Sequence, residues 1–74
     1  LPLNTPVQLK SGAIGRVYRP PVDPLQVNRP CVRIFYGPDR QKLETPWELD
    51  LLERDPDGAF KNSIAKVLPR KLKA

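Results

Sequence analysis

Cationic and aromatic side chains alternate along two short stretches of the sequence, and no other pattern in the chain is as suited to chemistry. Arg16 and Tyr18 form the first pair, and Arg33 and Phe35 form the second. In a strand, every second side chain points to the same side of the sheet, so each pair would share one face. Guanidinium groups pair with phosphate and rings stack on nucleobases. The two pairs therefore predict a surface that binds nucleic acid.

The charge distribution extends this predicted surface. Residues 1–53 carry seven Lys/Arg against six Asp/Glu, a net charge of +1, whereas residues 54–74 carry six against two, a net charge of +4. A basic tail on a nearly neutral body suggests an anionic partner, although a solvated tail that keeps the protein in solution is an equal alternative. The predicted nucleic-acid-binding residues are Arg16, Tyr18, Arg33, Phe35, Arg40, Lys42, Lys66, Arg70, Lys71 and Lys73.

Two other roles are open for the aromatic residues. Phe35 and Tyr18 would equally well form the apolar surface beneath a C-terminal helix. An aromatic cage for a methylated lysine needs about three rings around the cation. Trp47 is expected to pack over one end of the fold, which leaves few rings for a cage.

Catalysis is the function class that the composition argues against most strongly. The chain has no histidine, so the usual base that titrates near neutral pH is missing, and Cys31 has no histidine partner for a nucleophile. The segment 12–15 lacks the lysine of a phosphate-binding loop. We therefore expect no enzymatic activity, no metal, no cofactor and no small-molecule substrate.

A long proline-rich loop supports the alternative function. Residues 20–30 contain four prolines, which stiffen the chain because each restricts its own backbone and that of the preceding residue. The loop also carries three aliphatic residues that either fold back on the body or contact a partner. The alternative hypothesis is a protein-docking module, or a small accessory subunit of a larger complex, that binds through Val22, Leu25 and Val27.

The elements that must position these residues are predicted to be short strands. Residues 31–36 alternate with period two and are followed by a Gly-Pro-Asp turn, which predicts a β-hairpin whose second arm begins at residues 41–44. Val32, Ile34 and Tyr36 are expected to point inward. Two further strands are expected at residues 5–10 and 13–19.

Helical structure is predicted at two places. Thr45, Pro46 and Glu48 match a capping box with proline at the first helical position, so we expect one helical turn before a last strand at residues 49–53. A longer helix over 46–54 is the alternative. After a turn near Gly58, apolar residues at helical spacing predict an amphipathic C-terminal helix, and these are Phe60, Ile64, Val67 and Leu68.

The order of these elements resembles the SH3-like small β-barrels, a superfamily that includes KOW and Tudor domains. The segments that carry the resemblance are 12–17, 32–37 and 45–53. It implies a mainly β fold, a five-stranded barrel over residues 1–53 with a short helical turn before the last strand, followed by a linker and basic helix over 54–74.

The remaining features concern the cellular setting. A single cysteine fits a reducing compartment, and no apolar stretch approaches the ~20 residues of a membrane helix. We therefore expect a cytoplasmic protein without membrane insertion, whose partner is DNA, RNA or another protein.

Overall fold

The computed structural model describes residues 1–69. This part of the chain forms five strands, β1 (Pro6–Leu9), β2 (Ile14–Arg19), β3 (Cys31–Tyr36), β4 (Lys42–Asp50) and β5 (Ile64–Val67). They pair antiparallel in one sheet with the order β4-β3-β2-β1-β5. The first three strands lie where alternation of apolar and polar residues predicts them, and β4 and β5 form the two edges.

The core lies on one side of this sheet. The strands alternate, so that Val17 and Ile34 are buried while their sequence neighbours are more exposed, and Val32 is buried beside the buried Cys31. Leu51 closes the cluster from the turn after β4. Burying one such aliphatic side chain contributes roughly 1.5–3 kcal/mol. The cluster consists of Val7, Leu9, Ala13, Val17, Val32, Ile34 and Leu51, with Leu43, Leu49 and Ile64 packed against it.

Gly15 permits the close approach of β2 and β3. A Cβ atom at this position would lie 2.2 Å from the carbonyl oxygen of Arg33 and 2.9 Å from the Cα of Ile34. The register between the two strands shifts at the same point, because Gly15 pairs with Ile34 whereas Ile14 pairs with Tyr36. Phe35 is therefore the extra residue of a β-bulge, as expected for a glycine inside a strand.

The predicted helical turn at residues 45–48 is wrong, because this segment belongs to β4. Glu48 pairs with Arg33 and Trp47 pairs with Ile34 in the ladder with β3. The capping box is a local signal, and the cross-strand hydrogen bonds outweigh it. The alternative helix over 46–54 is wrong for the same reason, and the strand expected over 49–53 ends at Asp50.

The predicted C-terminal helix is also wrong. Residues Ile64–Val67 form β5, which pairs with β1 through Val7–Val67, Gln8–Lys66 and Leu9–Ile64. The pattern of four apolar residues at spacings of four, three and one does not distinguish a helix from a short edge strand. We predicted a five-stranded barrel with a helical turn and a terminal helix. The fold is instead mainly β, a single five-stranded antiparallel sheet, and residues 1–69 contain no helix.

The described residues contain no helix of the length and apolarity needed to cross a membrane.

Candidate nucleic-acid interface

The side of the sheet opposite the core, which we call the outer face, carries a row of residues that crosses all five strands. Directly paired residues of neighbouring strands place their side chains on the same face. The pairings Lys66–Gln8, Gln8–Ile14, Ile14–Tyr36 and Tyr36–Lys42 form one continuous row. We call it the lysine row, since a lysine stands at each end and Tyr36 and Ile14 stand between them.

A second row, the arginine row, runs beside the first. It consists of Pro6, Arg16, Arg33 and Glu48, paired in that order across four strands. Arg16 and Arg33 lie directly opposite each other, an arrangement of like charges that destabilises a strand pair unless an acid compensates. A Glu48 carboxylate oxygen accepts a hydrogen bond of 2.7 Å from the Arg33 guanidinium, and both side chains are about half exposed, at 42% and 56%.

A groove of about 250 Å³ lies on the outer face where the two rows meet. Its surface is mostly apolar, with Phe35 and Tyr36 as the aromatic residues and two cationic side chains beside them. The residues that line it are Pro6, Ile14, Gly15, Arg16, Phe35, Tyr36 and Lys42. The groove therefore combines ring surface for stacking with positive charge for phosphate, which is the combination that single-strand binding proteins use.

Tyr36 was predicted to point inward with Val32 and Ile34, and this prediction is wrong. The bulge at Phe35 adds one residue to β3, and a one-residue shift moves the following side chains to the other face. Tyr36 consequently lines the groove beside Ile14. The sequence signal for this change was Gly15, which indicated a bulge without showing which residue of the partner strand would be extra.

Tyr18 and Phe35, the two rings predicted to stack on bases, differ in their surroundings. The guanidinium carbon of Arg33 lies 4.7 Å from the centroid of the Tyr18 ring, and that of Arg19 lies 5.4 Å away. Burial raises the pKa of the Tyr18 hydroxyl, and the Glu48 carboxylate raises it further. Tyr18 thus already contacts two cations, whereas Phe35 lines the groove.

The other predicted contact residues lie at different distances from the groove. Lys42 lines it, Lys66 ends the lysine row, and Arg40 is exposed in the turn between β3 and β4 with a φ of 66°. Arg16 donates a hydrogen bond of 3.0 Å to the Asn4 carbonyl oxygen. The predicted contacts Arg70, Lys71 and Lys73 lie outside the described residues. The alternative in which a helix covers Phe35 is wrong, because Ile64–Val67 forms β5 at the far edge of the sheet.

The loop at residues 20–30 is a separate surface. Val22, Leu25 and Val27 are 70%, 88% and 60% exposed, so they do not fold back on the body. Two successive turns order the loop, because the backbone N–H of Gln26 donates to the Asp23 carbonyl oxygen and that of Arg29 donates to the Gln26 carbonyl oxygen. The predicted docking residues therefore lie on an ordered and exposed loop.

Arg29 holds the end of this loop, a role that was not predicted from the sequence. Its guanidinium donates hydrogen bonds of 2.8 Å and 2.9 Å to the carbonyl oxygens of Leu51 and Asn62, and one of 2.8 Å to the Ser63 hydroxyl. The same group lies 3.3 Å from the centroid of the Phe60 ring. The Arg29 side chain thus connects the loop to the segment before β5. The sequence around Arg29 shows only that it precedes Pro30, which does not predict these contacts.

Comparison with known proteins supplies no relative. No family model, curated protein or solved structure matches this chain. The resemblance to the SH3-like small barrels therefore stays a prediction. Within residues 1–69, no three histidine, cysteine, aspartate or glutamate side chains are grouped as a metal ion would require.

Proposed function

We propose that this protein is a nucleic-acid-binding module that contacts phosphate and bases through the outer face of its sheet. The observation that carries the proposal is the groove, in which Phe35 and Tyr36 lie beside Arg16 and Lys42. Two strand pairings, β2 with β3 and β3 with β4, bring these residues together from three strands, so the grouping is a property of the register. Lys66 extends the positive charge to the edge of the sheet.

The charge of the two rows favours a polyanion. The lysine row carries two cations and no acid, and the arginine row carries two cations and one acid, Glu48. Strands of a sheet lie about 4.8 Å apart, so a row of five strands spans about 19 Å, enough for several nucleotides. Phosphates bound along it would release counterions, which makes the affinity salt-dependent.

A fluorescence anisotropy titration with labelled nucleic acid at two salt concentrations tests the proposal. The variants Lys42→Gln and Lys66→Gln each remove one charge from the lysine row. Lys10→Gln removes the same charge from an exposed site outside both rows and serves as the matched control. We expect each row variant to weaken binding and to reduce the slope of log K against log salt by about 0.7 for a single strand, with the control unchanged. Equal affinity and equal slope for all four proteins would overturn the proposal.

A second candidate function is protein docking through the loop at residues 20–30. The observation that favours it is the exposure of three aliphatic side chains on an ordered loop, among them Leu25 at 88%. A partner bound there would be retained at high salt, because the contact is apolar, and would be lost with Leu25→Asp. The matched control is Leu3→Asp, at a leucine that is 55% exposed outside the loop. A partner that dissociates at high salt and tolerates Leu25→Asp would remove this candidate.

Two further expectations belong to the proposal. We assign no catalytic activity to the protein, because a chain without histidine lacks the usual general base. A cytoplasmic location is also part of the proposal, since the lone Cys31 suits a reducing compartment.

A further inference from the structure

We infer that the groove on the outer face takes an unpaired base of a single-stranded nucleic acid, and that the flanking phosphates are held by Arg16 and Lys42. This inference rests on the proposed function and adds the class of ligand to it. Rings, aliphatic groups and cations occur together in the groove, and this is the combination that a nucleotide requires.

The groove itself is suited to the face of a base. Its lining is mostly apolar, with the rings of Phe35 and Tyr36, and Ile14 adds aliphatic surface. Stacking on rings is tolerant of sequence because every base has a π face. A purely apolar partner would leave the two cations at the groove without counterparts, whereas a nucleotide supplies both an apolar base and an anionic phosphate.

The cations nearest the groove are the ones best able to reach phosphate. Arg33 already pairs with Glu48 at 2.7 Å and also contacts the Tyr18 ring, so its charge is partly compensated. Arg16 and Lys42 line the groove and form no salt bridge within residues 1–69. Arg16 donates one N–H to the Asn4 carbonyl oxygen, and the guanidinium has further N–H donors that can bind a phosphate.

A single strand fits this arrangement better than a duplex. In a duplex the bases are stacked on one another and expose only their edges in the grooves, so a ring on a sheet has no free base face to contact. Insertion of a base would first require unstacking and unpairing, which costs a few kcal/mol. A single strand already exposes its base faces, so the same contacts are made without that cost.

The test compares a short labelled DNA strand of mixed sequence with the same strand annealed to its complement. We expect the wild-type protein to bind the single strand at least about tenfold more tightly, the equivalent of one base stack. Phe35→Leu removes the ring and keeps an apolar side chain, so it should weaken single-strand binding about tenfold and leave duplex binding unchanged. Phe35→Tyr keeps a ring and should restore single-strand binding.

The control for general loss of an exposed ring is Trp47→Leu. Trp47 is 47% exposed on β4 and pairs with Ile34, outside both rows, so single-strand binding should not change. Circular dichroism of each variant verifies the fold. If Phe35→Leu does not fold, the inference is tested by the preference of the wild-type protein and of Phe35→Tyr for single-stranded over double-stranded DNA. Equal binding of both DNA forms would overturn this inference and leave the proposed function standing. Absence of binding to both DNA forms and to an RNA strand of the same sequence would overturn both the inference and the proposed function. Binding of only a protein partner at the groove would also overturn both.

Discussion

The outer face and the loop at residues 20–30 are both exposed, but they are built by different means and offer different chemistry. The outer face consists of strand residues whose positions follow from the register of five paired strands, and it combines cations with rings. The loop is ordered by two turns and by Arg29, and it presents aliphatic groups. The first surface is complementary to a polyanion with apolar bases, and the second to an apolar protein surface.

The largest expected effect comes from Gly15→Ala, which disrupts the outer face. The new Cβ would lie 2.2 Å from a backbone oxygen of the neighbouring central strand, and backbone cannot move aside as a flexible side chain can. We expect a loss of at least about 3 kcal/mol in the free energy of unfolding, measured by denaturant titration.

Gly58→Ala is the matched control for that prediction. Gly58 has a φ of +89° and no neighbouring atom within 4 Å of the added Cβ, so only backbone strain is expected, about 1 kcal/mol. Equal losses for the two variants would show that crowding at Gly15 does not limit the approach of β2 and β3.

The next effect is expected from Arg29→Ala, which releases the loop. Three hydrogen bonds from a charged group and a ring contact are lost, so we expect the free energy of unfolding to fall by about 2–4 kcal/mol. Arg54→Ala is the matched control, because Arg54 also contacts the Phe60 ring, at 4.1 Å, but is exposed. Arg54 also donates one exposed hydrogen bond of 3.2 Å to the Gly58 carbonyl oxygen. A loss of more than about 1 kcal/mol there would mean that the ring contact with such a bond suffices, without the three hydrogen bonds of Arg29.

A smaller effect on the free energy of unfolding is expected from pH, through the thiol of Cys31, which lies where the loop joins the sheet. Cys31 follows the loop, begins β3 and is 3% exposed, and burial raises the pKa of its thiol above the ordinary 9.0, with a smaller contribution from Asp50. A raised pKa in the folded state means that stability is full below pH 9.0 and falls as the pH rises through the folded value. Thermal melts of wild type and Cys31→Ala across this range should therefore converge at high pH, and parallel curves would contradict the prediction.

The smallest effect on stability is expected from Leu25→Asp. Its side chain is almost fully exposed, so the free energy of unfolding should change by less than about 0.5 kcal/mol. Nucleic-acid affinity should fall only slightly, through the added negative charge. A strong loss of nucleic-acid binding in this variant would mean that the two surfaces act as one.

The elements that depend on local pattern could be predicted, and those that depend on pairing could not. Alternating residues identified β1, β2 and β3, and they placed Arg16 and Arg33 on one face, where they now lie opposite each other. The cap pattern at residues 45–48 and the spacing after Phe60 are short-range helix signals, and pairing of these segments with β3 and β1 overrode them.

Part of the candidate site was visible in the sequence for the same reason. Arg16, Arg33 and Phe35 follow from alternation along the strands, whereas Lys42 and Lys66 were predicted only from their charge. Ile14 also follows from alternation with Arg16 along β2, but Tyr36 joins them only because of the bulge, which lies where Gly15 approaches the backbone of Arg33. The Arg29 contacts link residues more than twenty positions apart and leave no local pattern.

Binding of a single strand to the outer face is tested by a map of amide chemical shifts during titration with a short single-stranded oligonucleotide. We expect the shifts to concentrate at Ile14, Arg16, Phe35, Tyr36 and Lys42, and residues 22–27 to stay unchanged. Shifts confined to residues 22–27, or a spectrum unchanged at saturating oligonucleotide, would contradict this expectation.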